Sequence, residues 1–302
     1  MIKKAIAKAK KILYPLQPKQ KVASETFATF RLFWGAKGGG KSYWLRSEAV
    51  KHCVSWRNIR GLILRRTYKE VYKNTALPMF SELPKSMYKY NEQKSTMTFL
   101  KTGSTIEFGY CRNDKDVSNY QGIEYDFIWI EELTHWQEKR WQILMSCLRT
   151  VKPGVTPNFF WTTNPGDIGH LWVKRLWVDR QFEPGEDSKD YAFIPSTIYD
   201  NEVLMNSDPR YVARLENLPE EEKKAFLYGD WNVFKGQYFK GYRKDIHEIE
   251  PFAIPENREK IICLDYWYSA PSAVYWLAKD HDWNVYVYRE IYSSGFLYGS
   301  LL

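Results

Sequence analysis

The sequence predicts an α/β fold in which a mainly parallel sheet is flanked by helices. Short apolar runs of strand type alternate with stretches of helical character over most of the chain, and this alternation is typical of such sheets. Polar residues follow several of these runs, and ligands bind beyond the carboxyl ends of parallel strands. A glycine-rich octapeptide at 35–42 stands between the first apolar run and the first helix. The sequence therefore predicts a ligand site at one edge of the sheet.

The individual elements are predicted from local patterns. An apolar strand at 31–34 leads into the octapeptide, and a helix at 41–53 leaves it. Residues 170–235 have helical and irregular character, with a charged helix start near Leu218. Further strands are predicted at 61–66, 96–99, 104–110, 127–130, 158–162, 261–265, 272–277 and 285–288, of which 96–99 and 104–110 form a hairpin.

The order of these elements predicts two domains. The first covers residues 1–240 and includes a helical subdomain at its end. Residues 241–257 are rich in Gly, Pro and charge, as expected for a linker. A second strand-rich segment occupies residues 258–302, which is short for a domain of normal size.

The octapeptide Gly-Ala-Lys-Gly-Gly-Gly-Lys-Ser fits the P-loop pattern of a Gly, four residues and then Gly-Lys-Ser. Its glycines let backbone N–H groups approach phosphate oxygens, and the helix that follows adds its positive dipole end. Lys41 is expected to reach the β- and γ-phosphates, and the Ser42 hydroxyl to bind Mg²⁺. The alternative is a glycine-rich turn that ends in Lys-Ser by chance, and the flanking strand and helix disfavour it. The predicted nucleotide-binding residues are Gly35, Ala36, Lys37, Gly38, Gly39, Gly40, Lys41 and Ser42, with Gln20 as a candidate contact to adenine.

Two carboxylates follow the apolar run 127–130 and complete the predicted site. Glu131 is expected to hold the Mg²⁺ shell through water, since Mg²⁺ keeps most of its water ligands. Glu132 is expected to orient and polarise the attacking water as general base. The alternative is an ordinary strand end with solvated acids, which the upstream P-loop disfavours.

Two further features are assigned roles from their place in the chain. Thr162, Thr163 and Asn164 end a predicted strand, where polar side chains can sense the γ-phosphate and couple hydrolysis to movement. The alternative for this motif is a capping turn, since Asn-Pro favours turns. Arg149 follows the helix after Glu132 and is either an arginine finger for a neighbouring subunit or a surface arginine.

Composition suits a protein of the reducing cytosol with an acidic polymer as partner. The net charge is +8, from 44 basic and 36 acidic residues, a balance that favours nucleic acid as partner. The lysines within residues 3–11 favour a solvated terminus over a DNA-gripping arm. No apolar run is long enough for a membrane span. The 4 cysteines are scattered, which argues against a zinc site or a disulfide framework.

Five segments follow one another in a distinctive order. In that order they resemble the large terminase subunit of tailed bacteriophages, the ATPase and nuclease that packages double-stranded DNA into a procapsid. The resemblance covers nearly the whole chain. The segments are Phe33-Trp-Gly-Ala-Lys-Gly-Gly-Gly-Lys-Ser42, Tyr120-Gln-Gly-Ile-Glu-Tyr-Asp-Phe-Ile-Trp-Ile-Glu-Glu-Leu-Thr-His-Trp136, Thr162-Thr-Asn-Pro-Gly166, Leu227-Tyr-Gly-Asp-Trp231 and Leu264-Asp-Tyr-Trp-Tyr-Ser-Ala-Pro271.

The resemblance implies a P-loop ATPase of the additional-strand type, followed by the first strands of an incomplete RNase H-like nuclease domain. Asp265 matches the first metal-binding carboxylate of that nuclease. Trp267 departs from the family, which usually has Gly there, and Glu131 stands where Asp is more frequent. The other nuclease carboxylates would lie beyond residue 302. Since a two-metal nuclease needs several acids, we expect no nuclease activity from this chain.

The resemblance also implies partners and a location. It implies double-stranded DNA, a portal protein and a small terminase subunit as partners, and a homo-oligomeric ring, a pentamer, on the procapsid; the isolated chain is expected to be monomeric. The expected location is the host cytoplasm, docked transiently on the procapsid and absent from the mature virion. The expected cofactors are ATP and Mg²⁺. Two alternatives stay open: another DNA-dependent motor of helicase or recombinase type, and a prophage remnant that binds ATP without hydrolysing it.

Overall fold

The computed structural model describes residues 15–232, 244–266 and 272–293. The chain forms two compact units, Met1–Gln237 and Tyr238–Leu302. The basic segment 3–11 and Trp267, both singled out from the sequence, lie outside the described residues.

The first unit is built on an eight-stranded sheet in the order β3–β4–β5–β2–β6–β7–β1–β8. The pairings β5–β2, β2–β6, β6–β7, β7–β1 and β1–β8 are parallel. At one side of the sheet, the pairings β3–β4 and β4–β5 are antiparallel. β7 lies between β1 and β6, which is the additional-strand arrangement. The predicted α/β fold with a mainly parallel sheet is confirmed. The strands are β1 Phe30–Gly35, β2 Arg60–Arg65, β3 Tyr88–Asn91, β4 Thr96–Phe99, β5 Thr105–Tyr110, β6 Phe127–Glu131, β7 Asn158–Thr163 and β8 Tyr191–Ser196.

Helices connect these strands except at the β3–β4 and β4–β5 turns. Besides the α-helices, short 3₁₀ segments occupy Lys85–Met87, Leu133–His135, Ser188–Asp190 and Ile198–Asp200, and π-helical segments occupy Tyr72–Ala76, Lys174–Val178 and Lys224–Tyr228. The α-helices of the first unit are α1 Pro18–Glu25, α2 Lys41–Ser55, α3 Tyr68–Val71, α4 Leu77–Glu82, α5 Asp114–Val117, α6 Glu138–Met145, α7 His170–Val173, α8 Glu202–Ser207, α9 Tyr211–Glu216 and α10 Glu220–Lys223.

Two strands depart from the sequence predictions. β8 lies within the segment 170–235, for which the sequence predicts helical and irregular structure, and it pairs in parallel with β1. Pro195 interrupts its apolar run, and proline is tolerated there because β8 is an edge strand. The sequence does not predict β3 either, since Tyr88–Asn91 is short and largely polar.

The central strands are buried on both faces, which explains their continuous apolar sequences. Successive residues of β1 show this, because Leu32 and Phe33 belong to separate clusters on opposite faces, each 0% exposed. Aromatic side chains fill much of both clusters; Trp129 packs on one side and Trp161 on the other. Because both faces are covered, a polar site on this sheet is expected at the ends of the strands.

The second unit contains a three-stranded antiparallel sheet in the order β11–β10–β9. Its strands are β9 Glu259–Asp265, β10 Ser272–Lys279 and β11 Val285–Ser293. A short helix, α11 Lys244–His247, lies within the predicted linker. Among the described residues, no helix combines the length and the apolarity that crossing a bilayer requires.

Candidate nucleotide site

The loop between β1 and α2 has a backbone that requires glycine. Gly38 and Gly40 have φ of +82° and +73°, in the left-handed region. Gly35 has φ of +152°, and a Cβ on it would lie 1.5 Å from the carbonyl oxygen of Ser196 on β8. The glycines of the octapeptide are therefore fixed by backbone geometry and by close packing.

The loop presents its N–H groups and turns its carbonyls to the protein. The carbonyl oxygens of 38, 39 and 40 accept hydrogen bonds from the side chains of Asn201, Ser196 and Gln20, the last two over 3.0 and 2.9 Å. The backbone N–H groups of 38–41 have no acceptor within the described part of the chain. Four consecutive donors at the N-terminus of α2 form a cradle for phosphate oxygens.

Lys41 lies at the start of α2 with its amino group directed back to the loop. Its Nζ donates to the carbonyls of Gly35 over 2.9 Å and Ala36 over 2.7 Å, and to Asn164 Oδ1 over 2.9 Å. Burial lowers the pKa of Lys41 to about 8, and the charge of Glu132 opposes this shift only in part. A triphosphate would supply the negative charge that this buried ammonium lacks.

Glu131 is the last residue of β6, and Glu132 follows it in a different environment. Glu131 is 1% exposed; its Oε2 accepts a hydrogen bond from the Thr75 hydroxyl over 2.6 Å and lies 3.3 Å from Arg65 Nε. Its Oε1 is buried and has no hydrogen-bond partner among the described residues. Glu132 has φ of +58°, which is rare for a residue with a side chain, and its Oε1 lies 3.9 Å from Arg65 Nη2. Such backbone strain is frequent at functional sites.

Asn164 joins the loop lysine to the second carboxylate. Its Nδ2 donates to both oxygens of Glu132, over 3.1 and 3.0 Å, while its Oδ1 accepts from Lys41. Thr163 before it is 0% exposed, and its hydroxyl lies 2.9 Å from the Thr134 hydroxyl. The end of β7 thus forms a physical connection between the two halves of the site.

A cleft of about 320 Å³ opens beside these residues. Arg65, Glu132 and Asn164 line it from the sheet, and Phe226 lines it from the helical segment 220–228. Lys37 contacts Phe226 twice: its backbone N–H donates to the Phe226 carbonyl over 2.7 Å, and its Nζ lies 3.7 Å from the ring centre. The helical segment therefore packs directly on the loop between β1 and α2.

The other predicted nucleotide-site residues lie around the loop. Ser42 is half-buried in the first turn of α2, and no partner for its hydroxyl exists in the described part. Thr162 is 2% exposed and stands beside Glu131 in the β6–β7 register. Gln20 is also buried; it supports the loop by donating to Gly40, and its Oε1 accepts from the backbone N–H of residue 17.

Two predicted residues remain, Arg149 in the first unit and Asp265 in the second. Arg149 donates its backbone N–H to the Tyr125 carbonyl, just before β6 begins. It therefore lies at the amino end of β6, whereas Glu132 follows the carboxyl end. Its side chain is 54% exposed and pairs with Glu124 at 2.8 Å. Asp265 belongs to the second unit, where it ends β9 and is exposed.

Several residues of the site cannot be found from the sequence. Thr75, Ser196 and Asn201 come from segments with no motif, and only the fold brings Thr75 to Glu131 and the other two to the loop. His170 also escapes sequence reasoning: it is 1% exposed, accepts a hydrogen bond from the Gly166 N–H over 2.9 Å, and its Nε2 lies 3.0 Å from the Trp231 carbonyl. No local pattern marks these positions.

The residues present fit a magnesium ion bound together with phosphates. Ser42 and Glu131 offer hard oxygen donors, and the unpaired buried Oε1 of Glu131 is a polar atom that lacks a partner of its own. No group of three or more His, Cys, Asp or Glu side chains that could hold a metal by itself occurs among the described residues. Magnesium at a nucleotide needs no such group, since phosphates and water complete its shell.

Comparisons with known proteins agree with this architecture. The family model described as "Phage terminase large subunit" matches residues 28–229. The large terminase of a thermophilic bacteriophage, solved in complex with ADP, has a TM-score of 0.60 at 15% identity, over 92% of this chain and 68% of that one. A variant of the ATPase domain of the Thermus phage P74-26 large terminase has a TM-score of 0.51 at 14% identity, over 73% and 96%. The HK97 bacteriophage large terminase has a TM-score of 0.54 at 12% identity, over 96% and 67%.

No curated protein sequence matches the chain at a significant level. The solved structures, at such low identity, show a shared fold. The family model spans more than half of the 302 residues and includes both the glycine loop and the acidic strand end. The chain therefore belongs to the phage terminase large subunit family.

Proposed function

We propose that this chain binds ATP with Mg²⁺ and hydrolyses it to drive double-stranded viral DNA into a procapsid. The observation that carries the proposal is the cradle of free N–H groups at 38–41, faced by Lys41, Asn164 and Glu132. The large terminase of the thermophilic bacteriophage was solved once with ADP and once with ATP-gamma-S, which supports a nucleotide as the ligand here.

The chain's own residues account for phosphate binding and for activation of water. The N–H groups at 38–41 and the Lys41 ammonium would bind the β- and γ-phosphates. Glu132 would accept a proton from the attacking water, because it is a carboxylate lining the cleft beside the loop. Asn164 contacts both Lys41 and Glu132, so a change at the phosphate is transmitted to the base.

Ser42 and Glu131 would hold the magnesium ion, which when bound neutralises phosphate charge. Arg65 contributes a second cation at the same edge, since it lies beside both carboxylates. The site thus balances two acids against Lys41 and Arg65 before the triphosphate arrives. Magnesium offsets part of the negative charge of the triphosphate, and the N–H groups at 38–41 face the remainder.

We propose the ring assembly and the partners from family membership. Net charge of +8 supports sequence-independent, salt-sensitive binding to duplex DNA. The portal protein, the small terminase subunit and a pentameric ring on the procapsid are proposed as partners, and the host cytoplasm as the location. Arg149 lies at the amino end of β6, whereas the nucleotide site of the same chain lies at the carboxyl end. A catalytic role for Arg149 would therefore require the nucleotide of a neighbouring subunit. Arg149→Ala should leave nucleotide affinity of the isolated chain unchanged and lower ATPase activity only in the assembled ring.

The second unit is proposed to belong to an RNase H-like domain. Its three antiparallel strands and Asp265 at the end of β9 support this interpretation. The described residues hold no further acids grouped with Asp265 as a metal site.

Steady-state ATPase assays with and without duplex DNA and portal test the proposed function. We expect turnover that duplex DNA stimulates, and a loss of at least about a hundredfold in Glu132→Gln, the range for removing a general base. Glu183→Gln is the matched control, because Glu183 is exposed and lies near Phe30 at the amino end of β1, away from the loop. Stimulation by single strands with duplex unwinding would favour a helicase. ATP binding without turnover would identify a hydrolysis-defective remnant.

A further inference from the structure

Thr75 makes a close contact with Glu131 from a distant part of the chain. The two residues are 56 positions apart, and the Thr75 hydroxyl donates to Glu131 Oε2 over 2.6 Å. Both residues are buried, at 0% and 1% exposure. A short hydrogen bond to a charged carboxylate, away from water, is of the strong kind. It fixes the orientation of the carboxylate at the end of β6.

The two oxygens of Glu131 differ in their surroundings. Oε2 accepts from Thr75 and lies 3.3 Å from Arg65 Nε. Oε1 is equally buried but has no partner among the described residues. An unpaired carboxylate oxygen costs free energy in a protein interior, and a bound ion or water is one explanation for such an atom in a native structure. The protein therefore holds one oxygen and leaves the other for a ligand.

The helix that carries Thr75 is widened at that point. Tyr72–Ala76 is a π-helical segment between α3 and α4. Such segments insert an extra residue into a helix and are frequent at functional sites. A second π-helical segment, Lys224–Tyr228, carries the Phe226 that contacts Lys37 in the phosphate loop.

We infer that Thr75 is a positioning residue for magnesium: by occupying Oε2, it directs Oε1 of Glu131 to the Mg²⁺ shell at the nucleotide. This inference rests on the proposed nucleotide site. Glutamate has three side-chain torsions, and an anchor on one oxygen removes much of that freedom before the metal binds. In this arrangement Thr75 would act through Glu131 and would not itself bind the metal or the nucleotide.

Calorimetric titration of the full chain with ATPγS, in Mg²⁺ and in EDTA, tests the role of Thr75. We expect Thr75→Val to raise the Kd about tenfold in Mg²⁺, the effect typical of losing a residue that orients a metal ligand. The Kd in EDTA should stay within about twofold, because the phosphate cradle is intact. Thr75→Ser retains the hydroxyl and should restore Mg²⁺-dependent affinity. Thr29→Val is the matched control, since it removes a threonine–carboxylate hydrogen bond, 3.0 Å to Asp190, outside the site.

Equal losses in Mg²⁺ and EDTA, or no loss in either, would overturn the role of Thr75. If Thr75→Val does not fold, as judged by circular dichroism, Thr75→Ala removes the same hydroxyl with a smaller side chain and leaves Glu131 itself unchanged. It should show the same Mg²⁺-specific loss, and an unchanged Mg²⁺ dependence would overturn the inference. Absence of binding by the natural chain in both conditions would instead contradict the proposed function.

Discussion

Nucleotide affinity should depend on pH through the buried Lys41. Burial lowers the pKa of Lys41 to about 8, and phosphates bind the charged form. About nine-tenths of the free protein carries this charge at pH 7 and about one-tenth at pH 9, which gives a tenfold loss of affinity, or about 1.4 kcal/mol. Bound phosphates favour the charged lysine, so proton uptake should accompany binding near pH 8.

Calorimetry with ATPγS and Mg²⁺ from pH 7 to 9 measures both quantities, and buffers of different ionisation enthalpy report the protons taken up. Lys41→Arg is the matched variant, because arginine stays charged throughout this range and should flatten the profile. An affinity of the natural chain that is constant from pH 7 to 9, or proton release on binding, would refute the reasoning.

The stability of the protein without nucleotide should move in the opposite direction. The folded pKa of about 8 lies below the ordinary value of 10.5. Between these two values the unfolded chain binds more protons, so the contribution of Lys41 to the free energy of unfolding rises with pH. Opposite trends for affinity and stability would separate a lysine effect from general alkaline damage.

Three further predictions concern the loop and its support. Gly35→Ala should destabilise the first unit by about 3 kcal/mol or more in urea unfolding, because its Cβ would lie 1.5 Å from the Ser196 carbonyl oxygen; a change below about 1 kcal/mol would contradict this packing. Asn164→Asp places a carboxylate beside Glu132 and should lower the ATPase rate about tenfold or more, and nucleotide affinity should fall as well, because Lys41 Nζ would then pair with that carboxylate; an unchanged rate would remove Asn164 from the coupling path. Burial lowers the pKa of His170 below 6.5, so the free energy of unfolding should fall as pH decreases below 6.5, where only the unfolded chain takes up the proton; this part of the acid sensitivity should be absent in His170→Gln.

The fold can be predicted where burial gives a strand a recognisable sequence pattern. β1, β6 and β7 are buried on both faces, so each is a continuous apolar run that the sequence shows directly. The edge strands lack such an apolar run. β8 contains Pro195 and β3 is largely polar, so the sequence predicts neither. The hairpin of β4 and β5 is predicted because Lys101-Thr-Gly103 favours a turn between alternating strands.

The site can be predicted only where its residues form motifs. Lys41 and the two acids stand in recognisable local patterns, and the structure brings them to one edge of the sheet. Thr75 and Asn201 support the same site from distant segments, and nothing in their local sequence indicates this. The place of Arg149 cannot be inferred from spacing, because the length of the connection after β6 does not determine the edge at which it ends.

A crystal structure of the chain with ATPγS and Mg²⁺ is the most direct test of the account. It should show phosphate oxygens within about 3 Å of the N–H groups at 38–41, with Glu131 facing the metal and Glu132 facing the γ-phosphate. A nucleotide bound elsewhere, or a triphosphate that leaves those N–H groups without contacts, would contradict the account.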